Sequence, residues 1–120
     1  MSTQKYTSVR LTLFKHSAES FLAALDEANI SHGPIHMFST NPQGSGLVET
    51  ITALSEAMPW NAIAKVVVAW IEARKSREVI INTETGDSIH AKGYSASDVQ
   101  KLLKKSTNVI VIDTKPADQP

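Results

Sequence analysis

Residues 62–81, AIAKVVVAWIEARKSREVII, carry a full helical pattern of apolar residues and then run into an unbroken apolar triplet. The β-branched run KVVVAWI alone would also suit a strand, but the length of the pattern favours an amphipathic helix. Pro59 lies where it can open this helix. The side chains at i, i+3, i+4, i+7 and i+8 form its apolar face: Ile63, Val66, Val67, Trp70 and Ile71.

A β-hairpin is predicted directly after this helix. REVIIN and SIHAKG flank the polar turn TETGDS, which contains Gly86. The consecutive Val79, Ile80 and Ile81 predict burial on both faces and therefore a central position in a sheet.

Toward the amino end, SVRLTLF alternates apolar and polar residues, which predicts a strand with one buried face. Ser17 is predicted to cap the helix that follows, and Asn29 to end it in a left-handed conformation. GPIHMFS is predicted to be a short second strand, which Pro34 restricts to a sheet edge or to its own first position.

The segment LVETITAL, residues 47–54, is predicted to be a helix. Leu47, Ile51 and Leu54 share one helical face, and Glu49 and Glu56 lie away from it. Together with the helix of residues 62–75, this makes two helices in tandem.

Toward the carboxyl end, SASD predicts a helix that Ser95 caps, and NVIVID predicts a last strand. The predicted order is β-α-β-α-α-β-β-α-β, which indicates an α+β fold with a mixed sheet backed by helices in a single two-layer domain. We expect residues 6–113 to form this domain, residues 1–5 to be a flexible terminus and residues 114–120 a disordered tail.

Composition excludes several classes of function. Twelve Lys plus Arg balance twelve Asp plus Glu, so the chain lacks the net positive charge of a dedicated nucleic-acid binder, and no nucleic-acid partner is expected. The absence of cysteine rules out disulfides and thiolate zinc sites. Neither a signal peptide nor a membrane-spanning stretch is evident, which predicts a cytoplasmic protein without a membrane partner.

The succession of VRLTLF, STNPQGSGLVETITAL, AIAKVVVAWIEARKSREVII and GYSASDVQKLLKK, over roughly residues 8–105, resembles the effector-associated constant component family of bacterial conflict systems. This resemblance implies a small non-catalytic adaptor, found near or fused to effectors such as peptidases. It transfers no catalytic, cofactor or metal residue.

One loop could bind an anion. Gly44, Ser45 and Gly46 precede the predicted helix at Leu47, where free amide groups could receive a phosphate or carboxylate. The loop lacks the lysine of GxxxxGK[ST] and the third glycine of GxGxxG, which favours a joint or a cap. It is a weak candidate anion site, and it underlies the alternative hypothesis of a small-molecule or nucleotide-binding enzyme.

No other chemistry is indicated. His32 and His36 are four residues apart, but Gly33 and Pro34 interrupt the helix that would bring them together, so we expect no metal site. No combination of serine, histidine and acid suggests a nucleophile, so the chain is predicted to be neither an enzyme nor a cofactor-binding protein.

The candidate partner surface consists of Trp60, Arg74, Lys75 and Arg77. An exposed tryptophan at a helix junction is a natural anchor for protein association, and the basic cluster could attract an acidic partner. The preference of basic residues for helix carboxyl ends explains the same cluster without a partner. The predicted function is that of a protein-interaction or adaptor module. Such a module could also form a homo-oligomer.

Overall fold

The computed structural model of the chain describes residues 5–34 and 47–115, which form a six-stranded sheet and three α-helices. A short 3-10 turn, Ser55–Ala57, precedes the second helix. None of the described helices has the length and hydropathy needed to cross a membrane. The elements in chain order are β1 (Tyr6–Lys15), α1 (Ser17–Glu27), β2 (Gly33–Pro34), β3 (Leu47–Leu54), α2 (Trp60–Ala73), β4 (Arg77–Thr83), β5 (Ser88–His90), α3 (Ala96–Lys104) and β6 (Ser106–Asp113).

The strand order is β2-β3-β1-β6-β4-β5. The two central strands, β1 and β6, are parallel, and every other neighbouring pair is antiparallel. The predicted α+β class with a mixed sheet in a single domain is therefore confirmed. The predicted place of Pro34 at an edge is also confirmed, because β2 is the outermost strand.

All three helices pack on the same face of the sheet. Their buried residues form one core with the alternate residues of the strands, such as Leu11 of β1, Val79 of β4 and Val111 of β6. Trp70, predicted to lie in the core, is buried there and meets Phe21 of α1 edge to face, with ring centroids 5.3 Å apart. No described helix lies on the other side of the sheet, which we call the open face.

The helix predicted for residues 47–54 is wrong, because these residues form strand β3. All eight pair with β1, from Leu13 opposite Leu47 to Tyr6 opposite Leu54. Four of the eight side chains, Val48, Thr50, Ile51 and Thr52, are β-branched and therefore suit a strand. The long-range ladder to β1 outweighs the apolar spacing that resembled a helix.

Several local predictions have clear outcomes. Asn29 has a φ of 60°, as predicted for a left-handed helix end. Ser95 caps α3 as predicted, since its Oγ accepts a hydrogen bond from the amide of Asp98 at 3.2 Å. Ser17 does not cap α1: His16 is the cap residue, and the buried Ser17 Oγ donates to the carbonyl of Val111 at 3.0 Å.

The hairpin of β4 and β5 is confirmed, with Gly86 in its turn at a φ of 89° that favours glycine. The prediction that β4 is buried on both faces is wrong, because Ile80 contradicts it. Val79 and Ile81 are fully buried against the helices, whereas Ile80 is half-buried on the open face. The rest of the predicted second strand, residues 35–39, lies outside the described residues, as do residues 1–4 and 116–120.

Candidate functional site: the open face of the sheet

Four large apolar side chains are neighbours on the open face. Phe14 of β1 pairs with Ile112 of β6. Ile110, which lies two residues before Ile112 on β6, pairs with Ile80 of β4. Cross-strand partners have Cβ atoms about 5 Å apart, so these four side chains are contiguous. All four are half-buried, and we call them the apolar patch.

Polar residues surround the apolar patch. Thr12 donates a hydrogen bond to Asn108 at 3.0 Å, and Ser88 donates to Asn82 at 2.8 Å. These side chains point to the same face as the patch, since they alternate with the buried residues of their strands. The open face thus has an apolar centre and a hydrogen-bonded polar border.

Two charged residues lie at opposite corners of the area that β1, β6 and β4 form around the apolar patch. Arg10 lies two residues before Thr12 on β1, at the end of the patch marked by Asn108. Glu78 of β4 pairs with Ile112 of β6, at the opposite end of the patch from Arg10. Its strand, β4, is two strands away from β1. The carboxylate of Glu78 forms an ion pair with His90 of β5 through its Oε1 atom.

A second polar cluster lies near the β2 edge of the sheet, around His32. Its Nδ1 lies 2.7 Å from Oε1 of Glu49, and its Nε2 lies 2.8 Å from Oδ1 of Asp26. Glu49 faces the core on β3 and is only 6% exposed. Asp26 belongs to the last turn of α1. The imidazole therefore links α1 to β3.

The protonation of His32 follows from its two partners. Burial opposes its charged form, but the hydrogen bonds to Glu49 and Asp26 outweigh burial and raise the pKa of His32 above its ordinary value. An imidazolium can donate from both ring nitrogens, and two carboxylates can accept. With both nitrogens engaged, this imidazole has no lone pair for a metal or for a substrate proton. Among the described residues, no group of three or more histidine or acidic side chains could hold a metal ion.

The basic residues of the predicted partner surface are held by a buried aspartate. Asp113, which is 1% exposed, accepts a hydrogen bond from Arg77 Nε at 3.0 Å, and Arg74 Nη1 lies 3.6 Å from it. Arg77 also donates to the carbonyl of Trp70 at 3.0 Å, and its guanidinium lies 4.6 Å from the centre of the Trp70 ring. Lys75 is exposed.

Asp113 is satisfied on every side by the chain itself. Ser76 donates to it at 2.6 Å and the amide of Lys115 at 3.1 Å. Burial acts against the carboxylate, but these hydrogen bonds, that of Arg77 and the charge of Arg74 together lower the pKa of Asp113. Two of the three predicted basic residues thus support the fold at the carboxyl end of α2.

Trp60 lies at the other end of α2. It is half-buried and packs against the hydrophobic core. A 14-residue helix separates it from Arg74, and such a helix is about 20 Å long. Trp60 and the basic cluster therefore do not form one continuous surface.

Gly44, Ser45 and Gly46 lie outside the described residues. The segment that follows them is strand β3 rather than a helix. The helix terminus that would have supplied amide groups to an anion at this loop is therefore not present.

A groove of about 640 Å³ runs between α1 and α2. Five of its eleven lining residues are alanines, such as Ala24 of α1 and Ala62 of α2, and Trp70 also lines it. The Trp70 indole donates to Ser20 at 3.0 Å, so the one polar atom of the Trp70 side chain is already satisfied.

Sequence reasoning missed both the apolar patch and the His32 cluster. The signal for the patch was present in EVII and NVIVID, where apolar residues exceed the alternation that one buried face requires. The His32 cluster had no such signal, because its three residues come from separate elements and the apolar spacing around Glu49 predicts a helix.

The same chain was compared with known proteins. No protein-family model, no curated protein and no solved structure matches it.

Proposed function

We propose that this domain is a non-catalytic protein-interaction module that binds its partner through the open face. The observation that carries the proposal is the apolar patch of Phe14, Ile80, Ile110 and Ile112. A sheet with one solvated face ordinarily carries polar side chains there. A contiguous apolar patch that reaches solvent and is bordered by polar residues is typical of protein-binding sites.

The energetics favour a partner on this surface. Burying apolar area stabilises a complex by about 25 cal/mol per Å² before the costs of association. The patch also lies on three adjacent strands of the inner sheet, β1, β6 and β4. Since these strands are held by ladders on both sides, the surface is rigid and loses little conformational entropy on binding.

The states of the titratable groups support a non-catalytic role. His32 has both nitrogens engaged by carboxylates, and Asp113 is fully hydrogen-bonded within the fold. Groups satisfied in this way hold elements together and have no free position for a substrate. The adaptor role implied by the sequence resemblance, with an effector such as a peptidase as partner, fits a domain of this kind.

The proposal is tested by capture from an extract of the source organism. Immobilised wild-type protein should retain a specific set of proteins that Ile110→Thr loses, because threonine keeps β-branching but removes apolar area from the centre of the patch. Lys101→Glu, on the exposed side of α3, is the matched control and should retain the same set.

Circular dichroism should show that both variants are folded. If wild type and Ile110→Thr retain the same proteins, the open face is not the docking surface and the proposal fails.

A thermal-shift screen tests the alternative of a small-molecule enzyme. Nucleotides, inorganic phosphate, Mg²⁺ and Zn²⁺ would each raise the melting temperature by mass action if they bound the folded state. We expect none of them to do so. A saturable shift with any of these ligands would contradict a purely protein-binding role.

A further inference from the structure

We infer that the partner seated on the open face is a second copy of this chain. The inference rests on the proposed function and names its partner. It predicts a two-fold symmetric dimer in which the open faces of two copies stack against each other.

The positions of Arg10 and Glu78 carry this inference. They lie at opposite corners of the area that β1, β6 and β4 form on the open face, with Ile110 between them. A two-fold axis that runs parallel to the sheet, above Ile110 and midway between the two stacked sheets, and perpendicular to the line joining Arg10 and Glu78, places each corner opposite the other corner of the second copy. Arg10 of each copy then lies opposite Glu78 of the other, so the surface is complementary to itself. Such self-complementarity is what an isologous two-fold interface requires.

Both charges are available for this pairing. Arg10 is exposed, and in residues 5–34 and 47–115 no hydrogen bond or ion pair involves its side chain. The Glu78 carboxylate contacts His90 through one oxygen and is 41% exposed, so its second oxygen can accept from an arginine. Stacked sheets lie about 10 Å apart, a distance that Arg10 and Glu78 side chains can bridge together.

The centre of the same face supplies the apolar contact. About the proposed axis, Ile110 meets its own copy, with Ile80, Ile112 and Phe14 around it. The polar border formed by Thr12 with Asn108 and by Asn82 with Ser88 would lie toward the rim. An apolar core with a polar rim is the usual anatomy of a protein interface. The patch supplies affinity, and the Arg10 and Glu78 pairs fix the orientation.

Charge reversal tests the inference in solution. The full chain of 13.1 kDa should sediment as a dimer of twice that mass at about 100 µM, a concentration that populates any complex of micromolar affinity. Arg10→Glu and Glu78→Arg should each weaken the dimer by about tenfold or more, because like charges then face each other. The double variant should return to within about threefold of wild type, since the pairs are restored in reverse.

Two further variants separate the patch from the charges. Ile110→Thr should weaken self-association at every salt concentration, whereas the effect of the single charge reversals should shrink in high salt. Lys101→Glu should not change the dissociation constant. Circular dichroism and melting temperature should confirm that every variant is folded.

The failures of the inference and of the proposed function are distinguishable. A monomeric wild type at about 100 µM overturns the dimer. If Ile110→Thr nevertheless loses captured proteins, the open face binds another protein and the proposed function stands. The two-fold arrangement is overturned if wild type forms a dimer but the double variant, Arg10→Glu with Glu78→Arg, self-associates as weakly as the single variants.

Discussion

Glu49 on β3 accepts a hydrogen bond from Nδ1 of His32 at 2.7 Å, so a nearly buried carboxylate is neutralised by the segment that follows α1. Removing either group would leave the other without its partner. An unpaired buried charge costs more free energy than the net value of the pair. Substitution of His32 or of Glu49 should therefore destabilise the fold.

The first prediction concerns the pH dependence of stability. Because the pKa of His32 is raised in the folded state, its stabilising contribution is fully present below the unfolded value of about 6.5 and is lost as the pH rises through the higher folded value. The free energy of unfolding of wild type should therefore exceed that of His32→Gln most below about pH 6, and the difference should shrink toward pH 9. Urea denaturation across this range measures both. Lys101→Gln, at an exposed position of α3, is the matched control and should follow the wild-type curve.

The second compares the two carboxylates that contact His32. Glu49→Gln should lower the free energy of unfolding by about 1–3 kcal/mol, because a charge-assisted hydrogen bond at a buried site is lost. Asp26 is 69% exposed, so Asp26→Asn should cost less than about 1 kcal/mol. Equal effects of the two substitutions in urea denaturation would contradict the assignment of Glu49 as the principal partner.

The third prediction concerns Asp113. Asp113→Asn should lower the free energy of unfolding by about 3 kcal/mol, because Arg77 loses its anionic partner in the interior. Since the pKa of Asp113 is lowered, its contribution is present above the ordinary value of about 4 and is lost as the pH falls through the lower folded value. The free energies of unfolding of wild type and variant, monitored by circular dichroism as the pH falls, should become equal at the acid end of the range. Glu72→Gln, at an exposed position of α2, should leave stability nearly unchanged.

The fourth prediction concerns Trp60. Trp60→Ala should lower the free energy of unfolding by about 2–4 kcal/mol, because the indole packs against the core. Trp60→Phe should keep most of this packing. If the open face is the docking surface, Trp60→Phe should retain the wild-type dissociation constant of the dimer in sedimentation. A large loss of association in a folded Trp60→Phe protein would instead support the candidate partner surface predicted at this residue.

Helix α2 and the hairpin of β4 and β5 could be predicted from the sequence because their determinants are local. In α2 the apolar side chains recur with the period of one helix face, and Pro59 directly precedes the first turn. In the hairpin, Gly86 supplies the positive φ that the turn needs. Ser95 could likewise be predicted as a cap, since its hydroxyl contacts an amide only three residues away.

The candidate site could not be predicted in the same way. Ile80 and Ile110 become neighbours only because β4 pairs with β6 across the chain. Arg10 and Glu78 become opposite corners of one surface only through the strand order. Ser17 could not be assigned correctly either, because its hydrogen-bond acceptor, Val111, lies 94 residues away.

The sequence by itself determined the fold class, the three described helices and the positions of most strands, because periodicity and capping act over a few residues. Only the tertiary structure decided that LVETITAL is a strand, since its spacing suits both periods and the ladder to β1 selects one. The tertiary structure also decided which apolar residues remain on the open face. Three helices cover one side of the sheet. Local sequence patterns do not predict which side the helices cover, or that the other side has no described helix.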